Sequence, residues 1–220
     1  MTAAALVEKA GVKAGLCAAG SVPAALAAMG LADLNRWYLH IWTRAAHREI
    51  ELDAVDVGVP AGALSVDLPA EVGVILSVRG PHGALLPLGG AAAADLSEVW
   101  LDACGTPTRF LLLPDGTDGD GKPVRRIRLC PAPAADLTVS VKGLRRFADL
   151  SSGDDILLSR FEDTLYFFVL GEMYRFAGDD AARKGAFADA RENLKAAIES
   201  ADRETERDNI QTPVESIYGC

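Results

Sequence analysis

Apolar positions recur every three or four residues at both ends of the chain and switch to short, alternating runs between them. Residues 3–16 are Ala-rich with helical spacing and are broken at Gly20-Ser21-Val22-Pro23. Ser21 as a cap and Pro23 in a first turn open a short second segment, because a first-turn Pro loses no helical hydrogen bond. From Leu31 to about Glu49, Leu34, Trp37 or Tyr38, Ile41 and Ala45 form a stripe, with Arg36, Arg44 and Arg48 off it. From about 50 to 148 the period changes. Leu64–Leu68 alternates, Val72–Val78 reads as a strand, and Pro81-His82-Gly83 reads as a turn. Val99–Leu101, Arg109–Leu113, Val124–Cys130 and Leu137–Leu144 continue at roughly ten-residue spacing, the pattern of a small antiparallel sheet or sandwich.

Helical spacing then returns. Ile156–Ala177 carries Leu158, Phe161, Leu165, Phe168, Val169, Met173 and Phe176, apolar over more than half its circumference. Such a helix has to be buried on several sides. Gly178-Asp179-Asp180 stops it and caps the next, where Phe187, Ala190, Leu194, Ala197 or Ile198 and Ala201 make a narrower stripe up to about Glu204. The chain is therefore expected to be α+β. A helical bundle is built from 1–50 and 149–206, a small antiparallel β-sheet or sandwich is inserted at 51–148, and 207–220 is an extended tail.

Composition changes this picture in three ways. With 220 residues and half of them hydrophobic, the chain is large enough for a real core. A formal charge of −9 excludes tight wrapping of nucleic acid by a basic surface, although an acidic lumen would let phosphates pass without sticking. Cys17, Cys104, Cys130 and Cys220, and His40, His47 and His82, are scattered, so neither a zinc site nor a disulfide framework is expected, and a reducing compartment fits. Residues 14–29 imitate a signal sequence, but Glu8 upstream and Pro23 within argue against one. No run of 18 strongly apolar residues exists, so the expectation is a soluble, unprocessed chain without a membrane span.

Candidate chemistry is sparse. Gly116 to Lys122 spells GxxxxGK, but Pro123 stands where a phosphate-binding loop needs a Ser or Thr hydroxyl, and a strand follows instead of a helix. Asp115, Asp118 and Asp120 in the same loop fit no register of a calcium-binding loop. No GxSxG elbow is present. Asp154-Asp155 and Asp179-Asp180 read as helix-start carboxylates. No catalytic residue, cofactor site or metal site is assigned. Arg125, Arg126 and Arg128 share one strand, with Arg126 and Arg128 on one face and Arg125 on the other. They read either as a charged interface for an acidic partner, a sister subunit or a phosphate, or as charges that discourage edge pairing.

The order of segments resembles tailed-bacteriophage head-to-tail adaptor (connector) proteins. GSVPA at 20–24 followed by ADLNRWYLHIWTRAAHREIELD at 32–53 is similar to that family's N-terminal loop and helix, with Leu34, Trp37, Ile41, Trp42 and Arg48-Glu49-Ile50 in the matching places. SVDLPAEV at 65–72, RIRLCPAPAADLTVSVKGLRRF at 126–147 and the stretch from Leu150 to Leu194 resemble its strand-and-turn, hairpin and helix pair. Ile156–Phe161 lacks the Pro common before the Arg-Phe of relatives, and 80–96 is richer in Ala and Gly. The resemblance implies a structural virion protein of the phage neck, made in the host cytoplasm and not an enzyme. It further implies a homo-oligomeric ring, a dodecamer, bound under the portal protein. Such a ring continues the channel for double-stranded DNA, which passes without sequence-specific binding, and gives the tail or head-closure protein its docking surface. The tail then supplies Ile210, Pro213, Val214, Ile217 and Tyr218 as portal-docking anchors. The alternatives are a tail-completion or tail-terminator ring protein and an intracellular enzyme with an unrecognised site.

Overall fold

The computed structural model describes residues 1–44, 49–88, 103–117, 119 and 121–211, with the backbone alone at 202 and 204–211. The expected strand at Val99–Leu101, the loop acids Asp118 and Asp120, and His47 and Arg48 lie outside the described residues. The chain is α+β. It divides into two compact units, one made of Met1–Glu49 with Ala148–Cys220 and the other of Ile50–Phe147.

In the first unit α1 is Ala3–Lys13, α2 Ala24–Arg44, α3 Glu162–Ala177 and α4 Asp180–Gln211. The Thr2 side chain accepts the N–H of Ala5 at 3.3 Å and caps α1. The two segments expected on either side of residue 30 are one helix, α2. Ala27 N–H reaches the Pro23 carbonyl at 2.9 Å, so Pro23 starts the first turn. Ser21 instead pairs by its backbone with Ala18. Gly30 does not interrupt α2, because a Cβ there would run into Val7 and Met173: the missing side chain is where α1 and α3 press on the helix.

The long helix expected at 156–177 starts later. Ile156 N–H is spent on the Met1 carbonyl, a short 3-10 turn covers Ser159–Phe161, and α3 begins at Glu162. Leu165, Phe168, Val169, Leu170 and Met173 are buried, and α3 packs on α1, α2 and α4, as its wide apolar face requires. Phe176 is the exception and is exposed. Gly178, at φ 75°, ends α3 with the N–H of Gly178 on the Arg175 carbonyl and that of Asp179 on the Tyr174 carbonyl. This pair of hydrogen bonds satisfies orphan carbonyls and needs a residue free to turn left-handed. The Asp179 carboxylate then accepts the N–H of Ala182 at 2.9 Å and opens α4. That helix runs to Gln211, so the backbone from 207 to 211 is helical where an extended tail was expected.

The second unit holds β1 Glu51–Val59, β2 Val66–Asp67, β3 Val72–Gly80, β4 Gly83–Leu88, β5 Cys104–Gly105, β6 Arg109–Thr117, β7 Pro123–Cys130, β8 Ala132–Pro133 and β9 Leu137–Arg145. Seven strands form a sheet in the order β1-β9-β3-β4-β6-β7-β2, and β5 pairs with β8. The sheet is antiparallel except at β4 and β6, which run parallel, Leu86 opposite Arg109 and Leu88 opposite Leu111. A parallel neighbour needs a long crossover, which the stretch between Leu88 and Arg109 supplies in place of a hairpin. Leu52, Val59, Val72, Val78, Phe110, Ile127, Leu129, Val139 and Val141 are buried together as its core.

Three register shifts shape the β1-β9-β3 end of this sheet. Pairing of β9 shifts against β1 between Leu52 and Val55, and against β3 on either side of Val74 and Ile75. Gly143 of β9 lies opposite both, and a Cβ there would meet the backbone carbonyl of Val74. A backbone atom held in a sheet cannot yield as a side chain can. Gly143→Ala is therefore expected to cost the β unit about 1–3 kcal/mol, read by denaturant unfolding. An unchanged midpoint would mean that the bulge relaxes.

Candidate functional site

The helical unit gathers its buried charge where α2 crosses α3. Arg36 donates to Glu172 at 2.5 Å and lies 3.1 Å from Asp33, and Arg175 lies 3.3 Å from the other oxygen of Glu172. Glu172 is 4% exposed and Asp33 8%, whereas the arginine side chains are about half exposed. Two carboxylates are thus held inside by two guanidinium groups at the rim, an arrangement in which removing one partner strands a buried charge. Burial pushes the Asp33 carboxyl up, the charge of Glu172 adds to this, and Arg36 and Arg175 oppose it. Beside the network Trp37 stacks on Phe168 with ring centres 3.9 Å apart and planes 6° from parallel. Phe187 of α4 closes the cluster against Trp37 and Phe168, and its ring would lie only 3.1 Å from a Cβ on Gly171.

In the β unit the arginines of β7 find partners in their own unit. Arg125 donates to the Gly73 carbonyl at 2.7 Å and to Asp115 at 2.8 Å. Arg126 donates to Asp67 at 2.7 Å and to Ser65 at 3.2 Å. Arg128 is half-buried between them and the end of the strand. Asp115 also lies 3.8 Å from Arg146, which donates to the Val72 carbonyl at 3.3 Å. One carboxylate on β6 therefore joins the guanidinium groups that satisfy the first carbonyls of β3. The GxxxxGK stretch spans the end of β6 and the start of β7, paired antiparallel through Gly116–Val124 and Thr117–Pro123.

Asp154 does not start a helix. Its carboxylate accepts the N–H of Ser151 at 2.7 Å, which holds its pKa below the usual aspartate value, and its carbonyl takes the N–H of Ala3. Ile210 lies in the last turn of α4, while Pro213, Val214, Ile217 and Tyr218 lie outside the described residues. Among the described residues no group of three or more His, Cys, Asp or Glu side chains could hold a metal ion. No described helix is long and apolar enough to cross a membrane.

Neither Asp33 nor Glu172 stood out in the sequence, and Asp115 did so only as a loop acid. The signal was present only as Asp33/Arg36 and Glu172/Arg175, acid–base pairs three residues apart inside otherwise apolar helices. The raised Asp33 carboxyl has a thermodynamic sign. A folded-state value above the ordinary 3.8 adds stability below that pH, and the contribution is lost as pH rises through the folded value. Asp33→Asn removes that loss. Its unfolding midpoint minus that of the parent should become more positive between acidic and neutral pH in a calorimetric series. A pH-independent difference would show that Asp33 titrates as an ordinary carboxylate.

The chain matches the SU10 adaptor protein family over residues 1–216. Among curated proteins, none matches it. The family match takes in both units and the start of the segment after α4. The chain belongs to the SU10 adaptor protein family, a family of bacteriophage structural adaptor proteins.

Proposed function

We propose that the chain is a ring subunit of the phage neck. In this reading α1–α4 form a helical bundle, copies meet head-to-tail in a closed ring, expected to be a dodecamer, and the ring sits under the portal protein. It continues the channel for double-stranded DNA and offers its free side to the tail or head-closure protein. The observation that carries the reading is the adaptor-family match across residues 1–216.

The physical chemistry supports it in two respects. The formal charge of −9 favours a lumen that repels phosphates, so DNA slides instead of binding. The segment after α4 combines Ile210, Pro213, Val214, Ile217 and Tyr218 with few charges, a composition suited to anchoring in a groove of the portal. The β7 arginines are given no portal contact in this reading, since Arg125 and Arg126 each pair with an acid of their own unit.

Removing 212–220 leaves α4 entire, so the truncated protein is expected to fold with an unchanged unfolding midpoint and to lose portal binding. Sedimentation of each form, alone and mixed with the portal of its own phage, tests this. A large discrete complex with the full chain only is the expected result. Normal complex formation by the truncation would remove the docking role from the tail. A full-length chain indifferent to portal would favour a tail-completion or tail-terminator ring.

A further inference from the structure

Among the described residues, the cations of the β unit are paired within it except at two positions. Arg125, Arg126, Lys142, Arg145 and Arg146 each reach an acid, and Lys122 and Arg128 have contacts of their own. Arg79 and Arg109 are exposed and have no acid partner among the described residues. Both stand on one face of the sheet. Arg79 lies opposite Ser140 and Ala84, and Arg109 opposite Leu86. The adjoining pairs Val78–Val141, Val78–Leu85 and Phe110–Leu129 point the other way, into the core. The outward face of such a sheet is ordinarily polar. Here Leu86 is 60% exposed, Leu76 53% and Val74 50%, on the adjacent strands β3 and β4. An apolar patch therefore lies open beside two unpaired guanidinium groups.

The helical unit exposes the complementary chemistry. Leu157 is the most exposed large apolar side chain described in that unit, at 50%. Asp155, two residues before it, is exposed and has no cation partner among the described residues. Ile156 between them is buried, so Asp155 and Leu157 turn to the same, outer side. Its N–H is held by the Met1 carbonyl at 3.2 Å, which gives the pair a fixed backbone. Arg160, the next cation along the chain, lies 3.4 Å from Glu49 and leaves Asp155 unneutralised. The spacings agree. An extended step of two residues covers about 6.6 Å. On the sheet Leu86 lies about 4.8 Å from Arg109 across the parallel pair, and about 7–8 Å from Arg79 on the diagonal. Two β faces together would set arginine against arginine, and two Asp155 segments acid against acid, so each surface favours the other over its own kind.

We propose that the outward face of β3, β4 and β6 is a subunit interface whose occupant is the Asp155–Leu157 segment of a second copy. Leu157 covers Leu76 and Leu86, and Asp155 meets the arginines beside them. Because two different surfaces meet, the contact is heterologous and passes from copy to copy, as a ring requires. The inference rests on the reading of the chain as a ring subunit, and names the contact between neighbours in that ring. With a net charge of −9 copies repel one another at long range, so a surface with unpaired cations is where an acidic neighbour is admitted.

The test uses two full-length proteins, each with Cys17, Cys104 and Cys220 changed to Ser and Cys130 left in place because it is buried. One carries Leu86→Cys and the other Leu157→Cys. Mixed and mildly oxidised, alone and with portal, they should form a disulfide-linked heterodimer and few homodimers of either kind. Arg79→Glu with Arg109→Glu in the first protein should cut the yield several-fold, and Asp155→Arg in the second should recover much of it, with unfolding midpoints unchanged. Absence of the heterodimer under both conditions overturns the proposal. So does a yield that the arginine changes leave unmoved, or that Asp155→Arg fails to recover. Homodimers through position 86 overturn it because the face then meets its own copy. A thiol at position 86 closed to maleimide in dilute protein overturns it because the face is then covered within one chain. A heterodimer formed by a chain indifferent to portal keeps the interface and removes the portal reading alone. A normal portal complex without the heterodimer keeps the ring reading and removes this interface alone.

Discussion

The helical unit depends on one crossing, where Trp37 of α2 lies flat on Phe168 of α3 and Glu172 one turn further is held by Arg36 and Arg175. α3 is too apolar to have a solvent side, so it must be surrounded, and this contact fixes where α2 surrounds it. Stacked rings tolerate sliding, because any offset along the ring plane keeps much of the contact. A buried carboxylate does not, since a displaced Glu172 would lose Arg36, the guanidinium group that α2 supplies. Apolar area therefore drives α2 onto α3, while the ion pairs choose the register. Gly30 and Gly171 mark the same logic in negative: at each, a neighbour occupies the space a side chain would have taken.

The β unit solves a different problem with similar means. A sheet with bulges where β9 pairs with its neighbours has carbonyls that the regular ladder leaves uncovered. Those of Val72 and Gly73 are taken by Arg146 and Arg125, and Asp115 lies beside both arginines. Arg125 and Arg146 thus brace the start of β3 within the fold. These pairs are partly exposed, so screening reduces their energetic weight, and their main effect is on geometry.

An adaptor has to be stable as a separate subunit and still adhesive on cue. In the proposed reading, the packed helical core and the segment after α4 would meet those two demands in separate parts of the chain. In that reading the acidic balance would serve both, since like charge opposes self-association and repels phosphates.

Helices with long apolar stripes could be read from period alone. The stop at Gly178 and the cap at Asp179 were equally legible, because left-handed turns and capping carboxylates are local chemistry. β1 was not, since the bulge between Leu52 and Val55 throws its apolar residues out of alternation. α2 looked like two segments because a mid-helix glycine weakens a helix locally, and only the approach of Val7 and Met173 explains its presence. The start of α3 at Glu162 was decided by Ile156 bonding to the chain's first residue, and the parallel step from β4 to β6 by pairing across a long connection. The fates of Arg125 and Arg126 depended on Asp115 and Asp67, about ten and sixty residues away. The sequence by itself determined which segments are apolar, where they turn and what charge they carry, because those properties belong to neighbouring residues. Which charges are spent inside and which surfaces stay open was left to the tertiary structure, since partners distant in the chain have no local signal.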